Sequence, residues 1–146
     1  MSKIINLSDY IISYFEKQGK KITNLRLQKI LYYIQGYCLR SDFSAFNEDV
    51  YNWPYGPVVL DSYFEYSNYR GNPISKKTDK EFFSINRNIL NIADKILKVC
   101  INIPDFELVE KTRSEEPWLT TKRNSKIPTD KIKKFFCNND PLNILI

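Results

Sequence analysis

No histidine occurs among the 146 residues. That absence excludes Ser-His-Asp and Cys-His nucleophilic catalysis and the HExxH type of metal site, each of which needs an imidazole. Glycine is scarce: Gly19, Gly36, Gly56 and Gly71 are the four, too scattered for a phosphate-cradling P-loop or a GxGxxG turn. The cysteines, Cys38, Cys100 and Cys137, are odd in number, widely spaced and form no CxxC pair. This argues against a disulfide scaffold or a thiolate zinc site and for a reducing compartment. No uninterrupted run of about 18 apolar residues exists, so no membrane-spanning helix is expected. The N-terminal MSKIINLSDY lacks the apolar stretch of a signal peptide. A cytoplasmic protein is expected, with no metal, no other cofactor and no membrane partner.

What is present is ordinary for a globular protein: 42% hydrophobic, 14% aromatic and 27% charged residues. The length suits one domain over residues 1–146. The net charge of +5 is unevenly spread. Residues 1–73 hold 8 basic and 7 acidic groups, and residues 74–146 hold 14 and 10. A basic excess suits an acidic protein, nucleic acid or a membrane surface, and it also simply confers solubility.

Helical spacing dominates the chain. Tyr10, Ile11, Tyr14 and Phe15 predict a helix over 8–18, with Ser8 or Asp9 as cap and Gly19 as stop. A second runs from a Thr23 or Asn24 cap to about residue 40. Pro57 suits the first turn of a third, over 57–69, ended by Gly71 and Pro73. Residues 73–82 read as a polar loop. Ile85, Ile89, Ile92, Ala93, Ile96 and Val99 predict a fourth helix, DFELVEKT at 105–112 a fifth, and PTDKIKKFFCNN at 128–139 a last one. SEEPWLTTKRNSK between them reads as a loop, and the apolar tail PLNILI as a docking segment. The expected fold is mainly α: a compact single-domain bundle of about six helices, with room for a small β-hairpin near 43–53.

The richest stretch is TNLRLQKILYYIQGY. At about 100° per residue, Leu27, Ile30, Leu31, Ile34 and Cys38 form one buried stripe. Gln28, Tyr32 and Gln35 share an adjoining face, and Arg26, Lys29, Tyr33 and Arg40 a third. Gly36 leaves a gap beside that third strip where something can approach closely. Two readings of the glutamines stay open: a polar recognition stripe, or groups that are solvated or satisfy buried backbone nearby.

Two other features are unusual. The turn Trp53-Pro54-Tyr55-Gly56-Pro57 is tight and rigid, and Glu115-Glu116-Pro117-Trp118 holds the second tryptophan. Trp53 and Trp118 are either core anchors beneath loops or rigid aromatic contacts for a partner. Glu115 and Glu116 adjoin on a turn, point in different directions and make a poor acid–base pair. Glu48 and Asp49 lack further metal ligands at a recognisable spacing. Lys122, Arg123, Lys126, Lys131, Lys133 and Lys134 cluster with only Asp130 between them, either as a phosphate-neutralising patch or as a plain lysine-rich surface.

ITNLRLQKILYYIQGYCL, followed by VYNWPYGPVVLDSYFEY, resembles the Panacea-domain family, which includes SocA-like antitoxins and phage-associated GepA-like proteins. The family pattern falls on Ile22, Thr23, Leu27, Gln28, Lys29, Ile30, Leu31, Tyr32, Tyr33, Gln35 and Gly36. It continues on the turn of Trp53, Tyr55, Gly56, Pro57 and Val58. The later Pro117-Trp118 and residues 127–135 resemble its C-terminal part. The chain departs from the pattern at Asn52, where alanine is common, at Pro54, and in lacking a histidine before the acidic-Pro-Trp segment. The resemblance implies a bacterial antitoxin that neutralises a co-encoded toxin by direct binding, at loci tied to prophages or mobile elements. An ATP-dependent protease is a further implied partner. The expectation is a binding module and not an enzyme. Its partner-binding residues would be Gln28, Lys29, Tyr32, Tyr33, Gln35, Gly36, Trp53, Tyr55, Gly56, Pro57 and Trp118. The alternative is a nucleic-acid-binding regulator using residues 122–134.

Overall fold

The computed structural model describes residues 3–75, 82 and 84–145. Among them are seven α-helices and one small sheet. The helices are α1 (Lys3–Lys17), α2 (Asn24–Arg40), α3 (Leu60–Glu65), α4 (Arg87–Cys100), α5 (Asp105–Arg113), α6 (Glu116–Leu119) and α7 (Thr129–Asn138). A 3₁₀ turn, Ser67–Tyr69, follows α3. Strands β1 (Val50–Trp53), β2 (Gly56–Val59) and β3 (Lys126–Ile127) form an antiparallel sheet in the order β2-β1-β3.

Helix α2 is the axis. Every residue from Leu27 to Leu39 is buried, because α1, α3, α4, α5, α7 and β2 pack around it. A helix enclosed on all sides has no solvent face. Thr23 starts it as expected: its Oγ1 accepts from the Arg26 amide at 3.2 Å and donates to Asp105 at 2.6 Å. Arg26 then pairs with Asp105 at 3.2 Å, donates to the Ile103 carbonyl and lies over the Phe15 ring. The entry of α2 is thereby fastened to α5. At its other end Arg40 donates to the Phe136 and Cys137 carbonyls at 2.9 and 3.1 Å, meeting the C-terminal end of α7.

Several element boundaries differ from expectation. Helix α1 starts at Lys3, ahead of Ser8 and Asp9. Both are buried inside it and serve as lateral ties: Ser8 to Ser62 at 2.8 Å, Asp9 to the Tyr66 hydroxyl. Pro57 does not open a helix. It lies in β2, and α3 begins three residues later. The hairpin sits at 50–59, and the loop expected at 114–126 contains the single turn α6. Most of the polar loop expected at 73–82 lies outside the described residues. In the tail, Leu142 docks as expected: it is buried and its amide donates to the Tyr37 hydroxyl at 2.9 Å.

The gap at Gly36 is filled from within. A Cβ there would fall 2.1 Å from the Phe136 ring of α7. That ring sits edge-on to Tyr32, Tyr33 and Tyr37 at centroid distances of 5.7, 6.1 and 5.0 Å, a favoured aromatic geometry. Gly36 is therefore the socket by which α7 closes on α2. Phe136→Ala should cost about 3–5 kcal/mol in urea unfolding. Gly36→Ala should also destabilise, although alanine favours a helix by about 1 kcal/mol. The double variant should lose clearly less than the sum, since each change relieves the other; additive losses would contradict this packing.

Candidate functional site

The polar side chains of α2 close the open edge of β2. Val59 N–H donates to Gln28 Oε1 at 3.0 Å, and Lys29 Nζ donates to the Pro57 carbonyl at 3.1 Å. The groups of Pro57 and Val59 face away from β1, where an edge strand leaves its backbone unpaired. Proline suits this position, because the outward amide it lacks would otherwise need an acceptor. Gln28 Nε2 donates to Asn24 Oδ1 at 3.0 Å and Ser62 Oγ at 3.2 Å, and Asn24 Nδ2 reaches the Tyr63 carbonyl at 2.9 Å. Two turns on, Gln35 does the same for the 43–49 loop. Its Oε1 accepts from Ala45 N at 2.7 Å, and its Nε2 donates to the Phe46 carbonyl at 2.9 Å. Of the two readings open for the glutamines, the structure shows the inner one: they satisfy buried backbone.

Tyr32 and Tyr33 converge on one carboxylate. Their hydroxyls donate to Glu115 Oε1 and Oε2 at 3.1 and 2.7 Å. Burial of Glu115 pushes its pKa up to about 7, against the opposing pull of the Tyr33 and Tyr32 hydroxyls and Lys111. Burial, reinforced by Glu115, raises both phenols well above their ordinary range. Lys29 is fully buried, and burial lowers its ammonium to about 7.

The hairpin tip holds the second group of expected site residues. Gly56 has φ +110°, and a Cβ on it would fall 2.8 Å from Thr112 Oγ1 and 3.0 Å from Lys29 Cε. Glycine is required there by both conformation and space. Trp118 Nε1 donates to the Trp53 carbonyl at 2.8 Å, and Arg113 lies over the Trp118 ring at 5.2 Å. Asn52 Nδ2 ties the same segment down through the Trp118 and Thr121 carbonyls at 2.8 and 2.9 Å. The two tryptophans are half-buried, and Tyr55 is 67% exposed.

The family model described as antitoxin SocA-like, Panacea domain, matches residues 27–119. The chain belongs to this family. The matched part runs from the first residue of the buried stripe of α2 to the end of α6, and so includes the polar groups of α2, the hairpin and Glu115. Neither a curated protein nor a solved structure matches the chain.

Within this Panacea domain, the expected contact residues divide into two sets. Gln28, Lys29, Tyr32, Tyr33, Gln35, Gly36, Gly56 and Pro57 are buried, so their side of the expected contact surface is not presented to solvent. The reason is that α2 carries packed neighbours on every face, where a surface helix has one free. Trp53, Tyr55 and Trp118 remain accessible. The basic cluster is partly neutralised: Lys126 pairs with Asp49 at 3.1 Å, Lys133 with Asp42 at 2.7 Å, and Lys131 donates to the Thr120 carbonyl at 2.8 Å. Lys122, Arg123 and Lys134 have no ion pair among the described residues. No described helix is long and apolar enough to cross a membrane. All three cysteines are free, Cys38 and Cys100 buried and Cys137 exposed.

Sequence reasoning missed two sets of residues. Glu115 was weighed only as half of an acid–base pair; its signal is the Tyr32-Tyr33 pair, two phenols on an interior helix that need an acceptor. Helical spacing places Tyr63 and Phe64 in a helix and gives no sign that both meet Trp53 edge-to-face, at 5.1 and 6.4 Å.

The two shifted groups oppose each other across the pH range. Folded Glu115 holds its proton longer than the unfolded chain does, so its contribution to stability falls as pH rises from about 4.5 to about 7. Folded Lys29 loses its proton earlier, so stability is regained as pH rises from about 7 towards 10.5. The effects are on the order of 3 kcal/mol for Glu115 and 5 kcal/mol for Lys29. In denaturation across pH, Glu115→Gln should therefore gain on the wild type between pH about 5 and 7, and the advantage of Lys29→Met should shrink above pH about 7. Parallel curves would refute the assignment. Gln28→Ala strands the Val59 amide and should cost about 1–3 kcal/mol.

Proposed function

We propose that this Panacea-domain chain acts as an antitoxin, neutralising a co-encoded toxin by direct protein–protein binding. The observation that carries the reading is the family match over residues 27–119, the span that builds both the buried polar spine and the hairpin it holds. Stoichiometric neutralisation asks for a rigid scaffold and a complementary surface, and rigid aromatic groups supply binding energy at low entropic cost. Trp53, Tyr55 and Trp118 are the expected contact residues that stay accessible, and each stands on backbone held by the sheet or by α6. A protease-delivery step belongs to the same reading: the bound toxin is handed to an ATP-dependent protease.

Co-expression with the toxin encoded beside it should restore growth. Tyr55→Ala combined with Trp53→Ala should weaken toxin binding at least about tenfold, and circular dichroism should show retained helix content. A wild-type chain that leaves the toxin lethal would overturn the reading. Delivery to a protease predicts that the toxin's half-life shortens when the chain is present. A stable, inert complex would mean occupancy alone.

A further inference from the structure

The chain is basic overall, at +5, yet residues 41–69 contain no lysine or arginine and five acids. Asp42 and Asp49 are engaged by Lys133 and Lys126. Glu48 is half-buried. Asp61 and Glu65, one turn apart on α3, are exposed and have no cationic partner among the described residues. Beside them stands an aromatic face. Trp53 meets Tyr63 at 5.1 Å and Phe64 at 6.4 Å, and Tyr63 meets Phe64 at 5.6 Å, all edge-to-face. Phe64 is 60% exposed, and Tyr55, 67% exposed, stands at the tip of the hairpin that carries Trp53.

Two of the cations nearest in the fold, on α5 and α2, are already engaged. Arg113 lies over Trp118 and pairs with Glu110 at 3.6 Å. Lys29 is buried on the Pro57 carbonyl. The outward chemistry is thus accessible aromatic rings beside unpaired carboxylates, on a molecule whose other half carries the positive excess. Ring faces attract cations through their quadrupole, guanidinium more than ammonium, and carboxylates bind the guanidinium fork.

We propose that the aromatic cluster of Trp53, Tyr63 and Phe64, with the exposed Asp61 and Glu65 on the same short helix and Tyr55 at the neighbouring hairpin tip, docks an arginine-bearing segment of the protein partner. This rests on the antitoxin reading and names the chemistry of the toxin segment that is bound. Polyanions such as nucleic acid are repelled at this face.

The probe is a short blocked, fluorescein-labelled peptide of alternating arginine and serine, followed by anisotropy at low salt with the full chain. It should bind more tightly than its lysine counterpart, and the glutamate counterpart should not bind. Asp61→Asn with Glu65→Gln should weaken binding at least about fivefold, as should Phe64→Ala. Glu16→Gln with Glu107→Gln makes the same charge change elsewhere and should leave binding within about twofold. Equal losses from both double variants, no binding of the arginine peptide, or self-association of the chain through this face would each overturn the proposal. Failure to protect cells, with peptide binding as expected, would remove the antitoxin reading and leave the cationic docking face. Protection with peptide binding indifferent to these variants would remove the docking face alone.

Discussion

A helix buried on every side must still satisfy its polar side chains, and the rest of this fold is arranged around that requirement. An unpaired amide, hydroxyl or ammonium inside the protein costs free energy that packing alone has to offset. Helix α2 carries Gln28, Lys29, Tyr32, Tyr33 and Gln35 at buried positions. Together they bind three separate segments: Gln28 and Lys29 hold β2, Tyr32 and Tyr33 hold Glu115 just before α6, and Gln35 holds the loop before β1. The partners lie 10 to 83 positions in sequence from the α2 residues that bind them, so local helix chemistry becomes the register of the whole domain.

The same contacts position the surface. Gln28 and Lys29 take the place of a fourth strand along β2, which sets the depth of the hairpin against α2. Gly56 lets the turn approach Lys29 and Thr112 closely enough for that contact. Asn52 and Trp118 fix the hairpin to the α6 segment from the other side. What remains outward is the aromatic tip, where the Trp118 indole is held by the Trp53 carbonyl and Trp53 packs edge-on to Tyr63 and Phe64. A surface preorganised in this way would lose little entropy in the toxin contact proposed for it. Interior polarity and exterior aromaticity are thus two ends of one arrangement.

Much of the fold was legible because helical spacing is a strong signal. Helices α2, α4, α5 and α7 fall within a few residues of expectation, and the Thr23 cap and the docking of Leu142 were readable from residue type. The hairpin was misplaced because Pro57 satisfies two rules at once: it opens helices, and it suits an outward strand position. Only the partner across β2 decides between them. The expected site was harder to read. A wheel projection sorts residues by angle on one helix and holds no information on how many neighbours surround it. Gln28 and Gln35 therefore looked equally suited to solvent and to backbone. Gly36 advertised a close approach correctly, but the approaching group is Phe136 of the same chain. Charge spacing similarly revealed the basic cluster without revealing that Asp42 and Asp49 draw two of its lysines into ion pairs.

The polar groups of α2 face inward, and Gln28, Lys29 and Gln35 among them bind backbone. Residue-resolved amide hydrogen exchange tests this most directly, at Val59, whose N–H is bound by Gln28, and at Ala45, whose N–H is bound by Gln35. Both amides should exchange only through unfolding of the domain, with protection matching that of the α2 core. Exchange of Val59 and Ala45 at the rate of open strand-edge and loop amides would contradict it, for α2 would then be presenting its glutamines elsewhere.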